Sequence, residues 1–446
     1  MYSICPMRYI LILCLLISNV PTRAFGEIIT VESLSAFSYE ITKSDAKIRL
    51  KPGAYDFKDL PGRRKELNFS GSNNIIDLRG VYVRVEVGLV NDSYIRITGD
   101  NNTVVGGEFE DVYKKGAKKI KDFSAYNKDR RNFARGLGGA PVMKVDGDEN
   151  EVKGIKLTVR GSFPYGYGSI YGIGRDHVFG LNKRCGILIR GVGNTLDGVE
   201  VQQRAFGHGI YMQEKADKTL IKNSLVEGVL RKTRELYDET DDEDLPKRSN
   251  YKLPLESNKP IPKESVYSLC EDVIRMYDIP GSVTVENCTV KKMRGGIRLY
   301  LGGPATVKDC TVMHCEYTNY NLPAHGKLSG SSGGFSFGPL SDYRLGRSRT
   351  KAEWTILRSP HASGDHNIMD IHGNGHHIVL NRERGPVDRR EKRMIVITGR
   401  DSTIINNTEY TISLASGAKG NKISSYGSVK GNVEANTVTK IRSLPR

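Results

Sequence analysis

The sequence predicts an all-β solenoid, a right-handed parallel β-helix with long loop insertions, and three observations lead there. Strand-like segments recur at a fixed step, since the intervals 186–209 and 273–296 are both 23 residues, a repeat length typical of stacked coils. Forty-eight glycines and many Asn-containing turns separate brief Val, Ile and Thr runs, which marks short strands and tight corners with little helix. The same phrase keeps returning, as in Asn74-Ile75-Ile76-Asp77, Asn102-Thr103-Val104-Val105, Asn194-Thr195-Leu196-Asp197 and Val283-Thr284-Val285-Glu286. A coil this short cannot bury its apolar face alone. Stacking puts Val on Val and Asn on Asn, so each coil completes its neighbour. An antiparallel sandwich would also give short strands, but not the recurrence.

Taken in chain order, residues 1–24 read as a secretory signal peptide. Arg8 precedes the apolar run Ile10 to Ile17, and Pro21-Thr22-Arg23-Ala24 supplies a small residue at the cut. A lipoprotein anchor at Cys14 is the lesser expectation, because Leu13 stands where a small residue is needed. No later apolar run is long enough to span a bilayer, so a secreted or periplasmic protein is expected. Residues 25–446 are expected to form a single domain and a monomer, since a solenoid grows by adding coils. Residues 231–269 interrupt the pattern with the acidic run Asp238-Glu239-Thr240-Asp241-Asp242-Glu243-Asp244 and read as a solvated loop insertion. Calcium is the one candidate cofactor, in that run, although its spacing matches no calcium motif.

The formal net charge is +16, and such an excess draws an anionic partner by long-range attraction. The basic residues are spread along the coils among tyrosines, which favours an extended acidic polysaccharide. Nothing resembles a groove-reading motif, so no nucleic acid is expected. Five cysteines follow the leader, Cys185, Cys270, Cys288, Cys310 and Cys315. The odd count argues against a full disulfide framework, and Cys288 and Cys310 are expected to stack as buried thiols.

Three strands carry the candidate site: Gly209-Ile210-Tyr211-Met212-Gln213, Val273-Ile274-Arg275-Met276-Tyr277 and Gly296-Ile297-Arg298-Leu299-Tyr300. Side chains alternate across a strand, so the aliphatic residues face the core while Tyr211, Arg275 and Arg298, then Gln213, Tyr277 and Tyr300, form outward columns. His208, Asp272 and Gly295 align just before them, and Gly207, Glu271 and Arg294 one residue earlier. The next aligned strand is expected at Gly334-Phe335-Ser336-Phe337-Gly338.

This set suits β-elimination of a uronate. The proton α to the carboxylate is released only if the carboxylate is neutralised, a task for Arg275 and Arg298, while a base and an acid must sit within hydrogen-bond reach. His208 and Tyr211 are the first candidates. Lys183, Arg184, Arg204 and Arg294 flank the strands as further anion ligands, and Gln213, Tyr277, Tyr300, Tyr317, Tyr320, His325 and Lys327 are expected to contact substrate. His361, His366, His372, His376 and His377 lack metal-ligand spacing and read mainly as structural.

At Gly207-His208-Gly209-Ile210-Tyr211-Met212-Gln213 and Glu271-Asp272-Val273-Ile274-Arg275-Met276-Tyr277 the chain resembles the secreted parallel β-helix lyases of polysaccharide-degrading bacteria, which cleave pectin, alginate and glycosaminoglycans. The resemblance covers about residues 70 to 440 and implies carbohydrate binding across the strands with elimination chemistry. The chain lacks the calcium-binding acidic cluster of pectate lyases and the Lys/Arg pattern of the alginate and chondroitin lyases. Two alternatives stand beside it. A β-helix glycoside hydrolase needs two carboxylates; Glu271 and Asp272, being adjacent, would face opposite ways on a strand, leaving Asp278 and Glu214. A non-catalytic polyanion-binding solenoid needs only the basic face.

Overall fold

The chain coils through a large sheet of 23 strands and a small one of 13 among the described residues. The computed structural model describes residues 26–63, 65–87, 89–90, 92–113, 115, 140–160, 184–232, 266–268, 270–277, 279–300, 302–315, 318–336, 341–343, 348–357, 367–385 and 394–444. A typical coil gives two strands to the large sheet, such as Thr195–Asp197 and Glu200–Arg204, and one to the small sheet, such as Ile210–Met212. Neighbouring coils pair parallel and in register. The protein is a right-handed parallel β-helix, and residues 1–24, expected to be a signal peptide, lie outside the described residues. No helix among the described residues is long and apolar enough to cross a membrane.

Alternation explains the core. Ile76, Val104, Val152, Leu196, Ile221, Val285 and Val307 stack in one inward column, each fully buried. Burying one such side chain contributes about 1.5–3 kcal/mol. The short helix Leu34–Glu40 closes the first coil with Leu34 and Phe37, and Ser33 caps it by accepting the Ala36 N–H.

Polar ladders hold the corners. The Asn102 Oδ1 accepts the Asn74 N–H at 3.0 Å, Asn150 serves Asn102 at 2.9 Å, and Asn194 serves Asn150 at 2.9 Å. Because the corner is buried, each amide satisfies a backbone group that water cannot reach. Beside it runs a glycine column: a Cβ on Gly99 would lie 2.0 Å from the Gly71 oxygen, and one on Gly147 2.1 Å from the Gly99 oxygen. No side chain fits there. Further on, Ser224, Cys288, Cys310 and Ser331 each donate to the carbonyl two residues earlier, so the two cysteines are stacked members of a corner ladder. Cys185, Cys270, Cys288, Cys310 and Cys315, the cysteines among the described residues, are all buried and form no disulfide.

One expectation is corrected. The stretch beginning at Gly334 belongs to strand Lys327–Ser336, which pairs in the large sheet. The small-sheet neighbour of Gly295–Arg298 is instead Tyr320–Asn321, with Ile297 opposite Tyr320 and Arg298 opposite Asn321. The insertion at 231–269 leaves the coil through an antiparallel pair, Leu230–Lys232 with Val266–Ser268; residues 233–265, including the acidic run, lie outside the described residues.

Candidate active site

On the outer face of the small sheet the register sets Leu188 beside Tyr211, Tyr211 beside Arg275, Arg275 beside Arg298 and Arg298 beside Asn321. Consecutive strands lie about 4.8 Å apart, so the groups that follow come from adjacent coils.

Asp272 is the centre of the cluster. It is 1 % exposed, and three guanidiniums converge on it: Arg298 at 2.9 Å, Arg275 at 3.5 Å and Arg294 at 3.6 Å. Burial alone would raise its pKa, but the charges of Arg298, Arg294 and Arg275 together outweigh burial and hold the carboxyl well below the usual carboxylate range. Arg275 is sandwiched, 4.3 Å over the Tyr300 ring and 4.8 Å over the Tyr277 ring, and donates to the Tyr300 hydroxyl at 2.5 Å. Such stacking fixes a planar cation without quenching its charge. The Arg275 Nε is buried with no hydrogen-bond partner, so donor capacity remains unspent at the cluster's core. Arg298 also donates to Asn321 at 3.2 Å, which Thr318 steadies at 2.6 Å.

The second half of the cluster is built on His208, 3 % exposed. Its Nε2 lies 2.6 Å from the Tyr277 hydroxyl and 3.3 Å from the Glu271 carboxylate. A neutral ring accepts from the phenol there, and a protonated ring finds its counter-ion there. Either protonation state has a partner. Burial, followed by the Glu271 charge, pushes the Tyr277 phenol well above its ordinary value, so it keeps its proton at neutral pH. Burial does the same to Tyr211, which packs with Cys185 and Leu188 in a small apolar cluster on this outer face.

The structure brings together His208, Tyr211, Arg275, Tyr277, Arg294, Arg298 and Tyr300, with half-buried Gln213 following strand Ile210–Met212. It sends others elsewhere. Tyr320 points into the core, fully buried, with its hydroxyl donating to the Cys310 and Ser332 carbonyls. Arg184 is buried against Asp111 at 3.6 Å and stacked on Tyr94. Arg204 ends a large-sheet strand and donates to the Gly228 carbonyl. His325 is exposed at a turn and Lys327 opens a large-sheet strand. Lys183 and Tyr317 lie outside the described residues, as do His361, His366 and Asp278. His376 takes a ladder position, accepting the Thr350 N–H, and its Nε2 meets the His372 carbonyl at 2.7 Å; His377 is exposed. Glu214 is exposed and paired with Arg190 at 3.0 Å. No group of three His, Cys, Asp or Glu able to hold a metal occurs among the described residues.

Glu271 and Asp272 do not diverge as strand alternation requires. Glu271 precedes strand Asp272–Met276, so its backbone is not bound by the pleat, and both carboxylates reach Arg294, at 3.4 and 3.6 Å.

No family model matches the chain, and no curated protein matches it. Among solved structures, a PL6 alginate lyase complexed with a trisaccharide superposes with a TM-score of 0.47 at 10 % identity, over 95 % of this chain and 89 % of that one. A DFA-IIIase from Arthrobacter chlorophenolicus A6, without its lid and in complex with GF2, gives 0.44 at 14 % identity over 84 % and 89 %. A polygalacturonase from Erwinia carotovora ssp. carotovora gives 0.37 at 11 % over 94 % and 95 %. The site's meaning therefore rests on its own geometry.

Proposed function

We propose that the protein is an exported polysaccharide lyase that cleaves a uronate-containing glycan by β-elimination. The observation that carries this reading is the convergence of three guanidiniums on one buried carboxylate, next to a His–Tyr pair in hydrogen-bond contact. Asp272 and Glu271 together still leave that trio with surplus positive charge, which suits the carboxylate of a substrate. Arg294 and Arg298, with side chains 23 % and 15 % exposed, are the members a ligand can reach. Neutralising the uronate carboxylate acidifies the α-proton, and charge developing on the enolate meets preorganised donors.

In this mechanism His208 takes the proton from C5 of the uronate. The electron pair forms the C4–C5 double bond, the C4–O4 bond breaks, and O4 takes the Tyr277 proton. Transfer from imidazolium to phenolate across their 2.6 Å contact then restores the pair. Glu271 balances the transient imidazolium. Tyr277, half-buried and touching His208, replaces the more deeply buried Tyr211 as the acid. Hydrolysis through Glu271 and Asp272 is the weaker reading, because both carboxylates are buried and converge on the same guanidinium, Arg294, whereas that chemistry needs two carboxyls flanking the scissile bond.

The test is ultraviolet absorbance during incubation with chondroitin sulfates, hyaluronan, heparan sulfate, alginate and polygalacturonate, with and without calcium. Elimination leaves a conjugated unsaturated uronate, so absorbance should rise on one polymer and fail to rise for His208→Ala and Tyr277→Phe. New reducing ends without absorbance would mean hydrolysis. Binding without either change would mean a polyanion-binding solenoid.

A further inference from the structure

Lys327, set apart from the cluster by the fold, stands at the head of a second cationic feature. On the outer face of the large sheet the register aligns Lys327 with Lys351, Lys351 with His377, His377 with Thr403 and Thr403 with Lys422. At about 4.8 Å per coil this column runs along the helix axis over roughly 19 Å. Arg349, Arg400 and Lys419 stand at the corner immediately before it, and all six cations are exposed, as is His377.

Like charges stacked directly across strands repel, and elsewhere this face removes the conflict by interleaving carboxylates. Arg49 pairs with Asp77 at 2.9 Å, Lys222 with Asp197 at 3.3 Å and Lys308 with Glu286 at 3.1 Å. From Lys327 onward the pattern stops. The neighbouring outward column holds Glu353, Val379, Ile405 and Ser424. Among the described residues none of the six cations has a carboxylate within ion-pair distance, the nearby Glu353 and Asp401 included.

We infer that this stripe is a second binding surface, on a different sheet from the candidate active site, for a linear polysaccharide bearing carboxylate or sulfate groups. Cations repeated along a straight line at one coil spacing fit a polymer whose charges also repeat along a line. The stripe presents no exposed Phe, Tyr or Trp on which bases could stack, and no fully exposed large apolar side chain that would enter a bilayer. It holds the polymer while the other face acts, and it stands or falls independently of the elimination chemistry.

The experiment compares the full-length protein with Lys327→Gln/Lys351→Gln/Lys422→Gln and, separately, Arg294→Gln/Arg298→Gln, measuring affinity for heparin and for polygalacturonate at fixed salt. Each lysine facing an anionic surface is worth roughly fivefold in binding, so the triple variant should lose about a hundredfold for at least one polymer. Its turnover of a short soluble oligosaccharide should be unchanged, and its thermal unfolding should match the wild type because the lysines are exposed. Unchanged affinity of the triple variant for both polymers would overturn the inference. So would wild-type binding to phosphatidylserine vesicles or duplex DNA that equals the polysaccharide binding and is lost in the triple variant, since the stripe would then be a general cation exchanger.

Discussion

Replacing Asp272 by Asn keeps the side chain's shape and removes its charge, leaving three guanidiniums facing one another with only Glu271, 3.4 Å from Arg294, as a counter-ion. At an effective dielectric constant of about 20, each of the three contacts, at 2.9, 3.5 and 3.6 Å, amounts to roughly 5 kcal/mol of attraction. Desolvation of four buried or half-buried ions and repulsion among the arginines offset most of it. Breaking a buried pair by removing one partner leaves a net loss of about 3–5 kcal/mol, which is the expected destabilisation at pH 7. The pH dependence is sharper. The folded carboxyl titrates well below its unfolded value of about 3.9, so its stabilisation is fully present above about pH 5 and is lost as pH falls through the folded pKa. Urea unfolding midpoints of wild type and Asp272→Asn should differ clearly from pH 5 to 7 and converge in stronger acid. Coincident midpoints at pH 7, or a gap that persists unchanged into strong acid, would refute the charge-cluster argument.

Tyr277→Phe and His208→Ala should each lower kcat by about 10²–10⁴ with KM little changed, measured on the polymer that gives the absorbance rise. Asn102→Ala should cost about 3 kcal/mol in urea unfolding, because the Asn74 N–H and the Gly71 carbonyl lose their partner in a buried corner. Gly147→Ala should yield little soluble protein, since its Cβ would lie 2.1 Å from the Gly99 oxygen; folding with a wild-type midpoint would contradict the packing described. Tyr320→Phe should destabilise by about 1 kcal/mol while leaving activity intact, as its ring is fully buried and its hydroxyl bonds the Cys310 and Ser332 carbonyls inside the core.

The architecture was legible because stacking repeats its demands. The 23-residue step that aligns Ile274 with Ile297 also aligns Ile297 with Tyr320, and following it one coil further would have put Tyr320 in the core and Asn321 beside Arg298. The stretch at Gly334 matches the small-sheet strands in its flanking glycines, but glycine recurs at many corners of this fold and does not mark one sheet. The outward columns could be read from alternation alone. The role of Asp272 could not, because periodicity says where a side chain points and not which three distant cations will share it. Glu271 was hidden by the same rule applied one residue too early, before the pleat begins. Arg184 and Arg204 looked like free cations because their partners, Asp111 and the Gly228 carbonyl, are set by three-dimensional neighbours that the local sequence does not name.

The antiparallel stem at Leu230–Lys232 and Val266–Ser268 leaves the coil at the corner between the large sheet and the next small-sheet strand. Intervals 113–139, 161–183, 357–368 and 383–393 interrupt the chain at the same kind of corner. Tyr211 and Arg275 nevertheless remain direct neighbours across the stem. Closing a longer loop adds only about 0.6 kcal/mol per doubling of length, so an insertion there is nearly free of consequence for the scaffold. Evolution can therefore exchange the segments entering this edge while the charge cluster keeps its register. Relatives that share the arginine trio are expected to differ most in those five intervals.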